Sequence, residues 1–258
     1  MPYISHPELP SPPASKTVLW RYVSLAELLD LLDSRALHLT RADQLPHSGI
    51  NRESQLFLSA MAGMSAEEAR QAFDRMQNAQ STIFASCWYE SGSDRHQRWQ
   101  TLGGSTGQIA IRSTVGGLQQ ALSQASQQVC ISRVQYIDFQ AMAVPGGNIF
   151  YPALHKQRGM SEEREVRVLL QQSGANPSSA GPVRGVEVDV DIWSLIDGVR
   201  VAPRSAEWLG HLVLSLTERY GLRFEHNLAE AAPKEQRPAF FNSAQAERDA
   251  RGHKLAFV

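Results

Sequence analysis

Cysteine is scarce in this chain: Cys87 and Cys130 are the only two in 258 residues. That is too few for a disulfide framework or a cysteine-ligated zinc site. Long apolar runs are absent as well, and none approaches the roughly 20 residues that a membrane-spanning helix needs. The first residues lack the basic region and apolar core of a secretion signal. Neither charge sign dominates, with a net charge of −1 and a pI near 6.7. Nothing in that balance draws the whole molecule to nucleic acid or to an anionic membrane, although a local basic cleft stays open. Several chemical signatures are also missing: the G-x-x-x-x-G-K-[ST] loop, the GxSxG elbow, the G-x-G-x-x-G fingerprint and H-E-x-x-H. No repeat or coiled coil is visible. A cytoplasmic protein with no membrane attachment and no metal is the expectation from these absences.

What is present is a chain of 42% hydrophobic residues, long enough for a substantial core. Residues 1–16 hold five prolines (Pro2, Pro7, Pro10, Pro12, Pro13) and little apolar pattern, and read as a flexible arm. Val18–Val23 reads as a strand. Ser24 with Glu27 forms a capping box that opens a helix carrying Leu25, Leu28, Leu29 and Leu32. Leu37–Thr40 is a second strand, 53–80 is helical with a break near Gly63, and Ser65 with Glu68 forms another capping box. Further strands are expected at 81–89, 108–112, 129–138, 165–170, 186–190, 199–201 and 222–226, with helices at 114–125, 192–196 and 206–220. Residues 90–107 form a polar, glycine-rich loop holding Arg95, His96, Arg98 and Trp99. Gly221 stands at the C′ position of the last clear helix. About eight short strands and four or five helices without regular βαβ alternation imply an α+β fold, with mixed, mostly antiparallel strands. The expected organisation is an arm over 1–16, a single α+β domain over 17–228 and an appendage over 229–258.

The most informative stretch is Ser161-Glu162-Glu163-Arg164-Glu165-Val166-Arg167-Val168-Leu169-Leu170. Alternation puts Glu163 and Glu165 on one face and the valines on the other. Two carboxylates this close, entering an apolar strand, raise at least one pKa unless partnered. The bland alternative is an edge strand with a solvated acidic end. Two earlier strands also carry one polar residue among apolar neighbours, Arg21 in Leu19-Trp20-Arg21-Tyr22 and Ser86 in Phe84-Ala85-Ser86-Cys87-Trp88.

An arginine in a first strand, a serine in a middle strand and Glu-x-Glu at a late strand resemble the arginine-type ADP-ribosyltransferases. A second resemblance, over roughly 18–226, is to a bacterial family of unknown function met near phage-defence genes. It rests on Trp20-Arg21-Tyr22, Arg41-Ala42-Asp43, Ala85-Ser86-Cys87-Trp88, Trp99, Gly107 to Ile111, Lys156-Gln157-Arg158 and Glu163-Arg164-Glu165-Val166-Arg167. After Asp43 the chain departs from that pattern, with Gln44-Leu45-Pro46-His47-Ser48-Gly49 in place of an Asn-Asp-Pro-like turn.

The resemblance implies an ADP-ribosyltransferase-like fold that uses NAD as a substrate, with an unknown protein or nucleic-acid acceptor and a toxin or defence role. Breaking the nicotinamide–ribose bond passes through an oxocarbenium-like state. In that scheme Glu165 stabilises the developing charge and Glu163 orients or deprotonates the acceptor. Arg21 clamps phosphate or ribose, Ser86 positions Glu165, and Tyr22, Trp88 or Trp99 stacks on a ring. Arg21, Ser86 and Glu165 are then expected to line one pocket. The structural alternatives stay open: an Arg21 salt bridge to the acidic pair, Ser86 as packing, Trp99 beneath a loop, and His96 and His155 on the surface. Two other functions remain: a nucleotide- or partner-binding module without chemistry, and a metal-dependent nuclease built on Glu163, Glu165, Asp189 and Lys156. Asp189 and Asp191 sit near a strand end where a helix cap is the ordinary role.

Overall fold

The computed structural model describes residues 3–4, 6–45, 52–92, 99, 109–172, 185–203 and 205–225. Ten strands run β1 (Val18–Val23), β2 (Ala36–Arg41), β3 (Ile83–Glu90), β4 (Ile109–Thr114), β5 (Val129–Arg133), β6 (Gln135–Ile137), β7 (His155–Gln157), β8 (Glu165–Gln171), β9 (Gly185–Asp189) and β10 (Gly198–Val201). Among the described residues these strands are accompanied by seven α-helices, α1 (Leu25–Ser34), α2 (Arg52–Met61), α3 (Ala66–Gln80), α4 (Val115–Ala121), α5 (Tyr151–Leu154), α6 (Ile192–Leu195) and α7 (Glu207–Arg219). The fold is mixed α+β with mostly antiparallel strands, as the irregular element order predicts. Helix α6 stands where a helix at 192–196 is expected, and α2 and α3 are the expected 53–80 helix on either side of its break. The unexpected helix is the single turn α5, too short to show a periodic stripe. None of the described helices is long and apolar enough to cross a membrane.

Local chemistry explains most boundaries. Ser24 with Glu27 and Ser65 with Glu68 form capping boxes with both reciprocal hydrogen bonds in place. Thr114 caps α4, Asp191 caps α6, and Gly221 takes φ 65° after α7. The expected long strand at 129–138 is instead β5 and β6, split at Val134, whose N–H turns to the Glu165 carbonyl. The expected strand at 222–226 reduces to one bridge between Val199 and Phe224.

Strand β3 is the axis of the sheet. One edge pairs with β8 from Ile83–Gln171 to Tyr89–Glu165, and β8 carries β5 on its far side. The other edge is shared, with β2 alongside Phe84 and Ala85 and β1 alongside Tyr89 and Glu90. From there β1 continues to β4 and β10, and β2 continues to β9. The sheet therefore parts between β1 and β2, opposite the middle of β3.

Alternation divides the side chains cleanly. One face packs Leu19, Val23, Phe84, Trp88, Ile111, Val166 and Val168 under α1, α4, α6 and α7, forming the main core. The other face holds a smaller core of Ile83, Ala85, Cys130 and Leu169 against α5 and Leu9. A third cluster joins Trp20, Ala110 and Trp99.

The described part of residues 1–16 is not the loose arm expected from its prolines. The Ile4 N–H reaches the Val129 carbonyl, Leu9 is buried in the second core, and Ser132 Oγ donates to the Pro10 carbonyl. Single anchors spaced along a proline-rich segment give no periodic pattern, which is why the sequence conceals them. The expected turn at 46–49, most of the 90–107 loop and the 229–258 appendage lie outside the described residues.

Candidate functional site

Strand β8 begins at Glu165, and its odd-numbered residues face the second core. Cross-strand partners share a face, so Glu165 lies with Tyr89, and Arg167 with Cys87. A left-handed Arg164 (φ 47°) ends the short 3-10 turn before β8, and its carbonyl accepts the Glu90 N–H at 3.0 Å. That turn delivers Glu163 beside Glu165.

The two carboxylates meet cations that the acidic motif alone does not reveal. Lys156, 3% exposed, reaches Glu165 Oε1 at 2.8 Å and also bonds Glu163 Oε2. Arg167 grips Glu165 Oε2 through Nε at 2.8 Å and donates Nη1 to the Ala153 carbonyl. The Glu165 N–H donates to the Tyr136 hydroxyl at 2.9 Å. Burial would raise the Glu165 pKa, but Arg167 and Lys156 outweigh it and hold the carboxyl near 2. Glu163 moves the other way: burial pushes it up and Lys156 only partly pulls it back. Its side chain keeps 30% exposure while Glu165 keeps 3%. Of the pair, Glu163 is the reachable acid–base group and Glu165 the locked one.

On the same face an aromatic row approaches this cluster. Tyr22 meets Tyr89 with ring centroids 6.0 Å apart, and meets Trp99 edge-to-face at 4.9 Å. The Trp99 indole N–H is buried with no acceptor among the described residues. Between the row and Arg167 stands Cys87, whose thiol burial pushes up to about 11, so it stays protonated at neutral pH.

Arg21 and Ser86 belong to the opposite face. Ser86 pairs with Val168, and Arg21 shares its side of β1 with the core residues Leu19 and Val23. Arg21 Nη1 donates to Ser86 Oγ at 2.6 Å and Nη2 to the His38 carbonyl at 3.3 Å, bridging the parting between β1 and β2. Burial lowers its pKa, against the nearby Glu27. Beside it lies a cavity of about 330 Å³ bearing Glu27 and Asp30, which oppose an anionic ligand. The expectation that Arg21, Ser86 and Glu165 line one pocket is therefore overturned: the sheet separates the first two from the third. The Arg21–acid salt bridge is replaced by the Lys156 and Arg167 pairs. Trp88 is fully buried in the main core, on the Arg21 side, so it offers no ring beside Glu165.

The other candidates resolve separately. His155 is buried rather than surface, with Nδ1 at 2.7 Å from the Tyr151 carbonyl and its pKa lowered by burial. Asp191 caps α6 through Trp193 N–H and Ser194 Oγ, while Asp189 stands on β9 opposite Ala36, away from Lys156 and the acidic pair. No group of three or more metal-ligating side chains occurs among the described residues. His96 lies outside them. Lys156 and Arg167 are the residues that sequence reasoning underused. The signal for Arg167 was its period-two relation to Glu165, while Lys156 stood in the Lys-Gln-Arg motif and beside Glu163 and Glu165 only in the nuclease alternative.

Comparison with known proteins returned no match to a family model, a curated protein or a solved structure.

Proposed function

We propose that the face formed by Trp99, Tyr22, Tyr89 and Glu163 binds NAD, and that the chain is an ADP-ribosyltransferase-like enzyme on an α+β fold of that kind. The observation that carries the reading is the aromatic row running to Tyr89, whose cross-strand partner Glu165 stands beside Glu163, a partly exposed carboxylate of raised pKa. Nicotinamide in NAD is a cationic ring, and aromatic faces and edges beside a carboxylate suit such a ring. The working residue shifts from Glu165 to Glu163. The C1′–N bond breaks and its electron pair leaves with nicotinamide. The acceptor's oxygen or nitrogen bonds to C1′, and Glu163 takes its proton. Lys156 and Glu165 hold Glu163 in place, and Arg167 keeps Glu165 ionised. Arg21 and Ser86 serve the fold, with Arg21 tying β1 to both β2 and β3.

A second reading is a nucleotide-binding module without chemistry. Its support is that both Glu165 oxygens are already occupied by Lys156 and Arg167, the pattern of a structural lock.

Both readings meet one experiment: NAD binding and NAD consumption measured together, with protein and nucleic-acid acceptors offered. Turnover in the parent that falls roughly a hundredfold or more in Glu163→Gln supports the enzyme. Saturable binding without turnover supports the module, and neither binding nor turnover rejects the face as an NAD site.

A further inference from the structure

Helix α7 is apolar on more than the face it buries. Leu209, Val213 and Thr217 are buried, the first two in the main core. Beside them Trp208, Leu212, Leu216 and Tyr220 follow at four-residue spacing, which makes a ridge along the helix. Tyr220 and Leu216 are half-buried, Leu212 is 36% exposed and Trp208 is 47% exposed, so the ridge rises out of the protein toward the start of α7. At its lower end the exposed Trp193 donates its indole N–H to the Tyr220 carbonyl at 2.9 Å, adding a second fixed ring. The outer side of a surface helix is ordinarily polar. A contiguous run of tryptophan and leucine there marks a contact site.

The ridge is too small to hold a separate molecule. It offers a strip about 18 Å long and about 10 Å wide, against the roughly 800 Å² per partner that a stable dimer buries. Its occupant has to be held close by other means, and the chain itself does this. The bridge between Val199 and Phe224 is parallel, and the Glu225 N–H bonds the Val199 carbonyl at 2.9 Å. Arg112 and Arg200 each grip the Glu225 carboxylate at 2.7 Å. Residue 225 is thereby anchored, and the chain leaves it in the direction of β10, toward the end of the sheet from which α7 and Trp208 begin.

Beyond that anchor the sequence holds Phe240-Phe241, with residues 226–239 between. A linker of that length has a root-mean-square span of about 20 Å, close to the length of the ridge. Arg237, three residues ahead of the pair, is opposite in charge to Glu207, which adjoins Trp208.

We propose that Pro238-Ala239-Phe240-Phe241 docks on α7, with its phenylalanines against Trp208 and Leu212. Tethering brings the effective concentration into the millimolar range, so a contact too small to join two molecules holds within one. The contact is independent of the NAD reading.

The test is acrylamide quenching of tryptophan fluorescence in the full chain. Trp20, Trp88 and Trp99 are buried, which leaves Trp193 and Trp208 as the rings a quencher reaches. Phe240→Ser/Phe241→Ser should be quenched more strongly than the parent, and the difference should vanish when Trp208→Phe is added to both. Leu212→Asp, at an exposed position of the ridge, should give the same rise and speed chymotryptic cleavage after Phe240 and Phe241. Equal quenching of parent and double variant overturns the proposal, as does a difference that survives Trp208→Phe. Shielding that weakens on dilution assigns the ridge to a second copy of the chain and also overturns it. Should Leu212→Asp fail to fold, the phenylalanine variants decide, because they leave every described residue unchanged.

Discussion

At the scale of single residues, the structure turns on Lys156 and Arg167, whose charges are buried only because Glu165 stands between them. Removing one partner of such a group strands the others in a poorly solvated interior. Glu165→Gln is therefore expected to lower unfolding free energy by about 3–5 kcal/mol, and Lys156→Met by a similar amount. Urea unfolding checks both, and a parent-like midpoint for either variant would remove the lock from the account. The pH dependence has a definite sign. With its pKa depressed from 4.5 to about 2, Glu165 contributes stability that is complete above 4.5 and lost as pH falls toward 2. Glu163, raised instead, opposes folding once pH climbs through its unfolded value. The deficit of Glu165→Gln should accordingly be larger at pH 6 than at pH 3. Equal deficits at the two pH values would place the depressed pKa elsewhere.

At the scale of elements, the tight approach of α4 to α6 sets the packing of the main core. A Cβ at Gly117 would stand 2.7 Å from the Ser194 carbonyl oxygen, a backbone atom that cannot swing aside. Gly117→Ala is expected to cost about 1–3 kcal/mol despite alanine's better helix propensity. Thermal unfolding provides the measurement, with Gly210→Ala, whose added Cβ meets nothing within 4 Å, as the reference. If the two variants melt together, α4 and α6 have more room than the geometry allows. Element identity was largely legible beforehand. The Ser24–Glu27 and Ser65–Glu68 boxes, the Gly63 break and Gly221 are local signals that act within a few residues. The single-turn helix α5 was not legible, since four residues are too few to show a period, whereas the equally short α6 was expected at 192–196.

At the scale of the whole molecule, the N-terminal segment completes the second core rather than trailing from it. Deleting residues 1–16 should lower the melting temperature, and Leu9→Ala alone should cost roughly 2–3 kcal/mol, since Leu9 is 8% exposed among Phe150, Ala153 and Leu154. A truncated chain that melts like the parent would restore the loose arm. The sequence by itself determined what depends on near neighbours: the strands and longer helices, their caps and the α+β class, whereas Glu163 comes beside Glu165 through the 3-10 turn and left-handed Arg164 rather than by strand alternation. It also held a partial clue to the faces. Leu19 and Val23 flank Arg21 at period two, and Phe84 and Trp88 flank Ser86, whereas the neighbour of Glu165 at that spacing is Arg167. Only the tertiary structure decided that Arg21 and Ser86 lie across the sheet from Glu165, and that Lys156 neutralises the acidic pair. Alternation fixes faces within one strand, but the relation between strands rests on a pairing register set by contacts distant in the chain. For the same reason the partner of a buried charge follows from which segments are brought together, and local sequence carries no record of that.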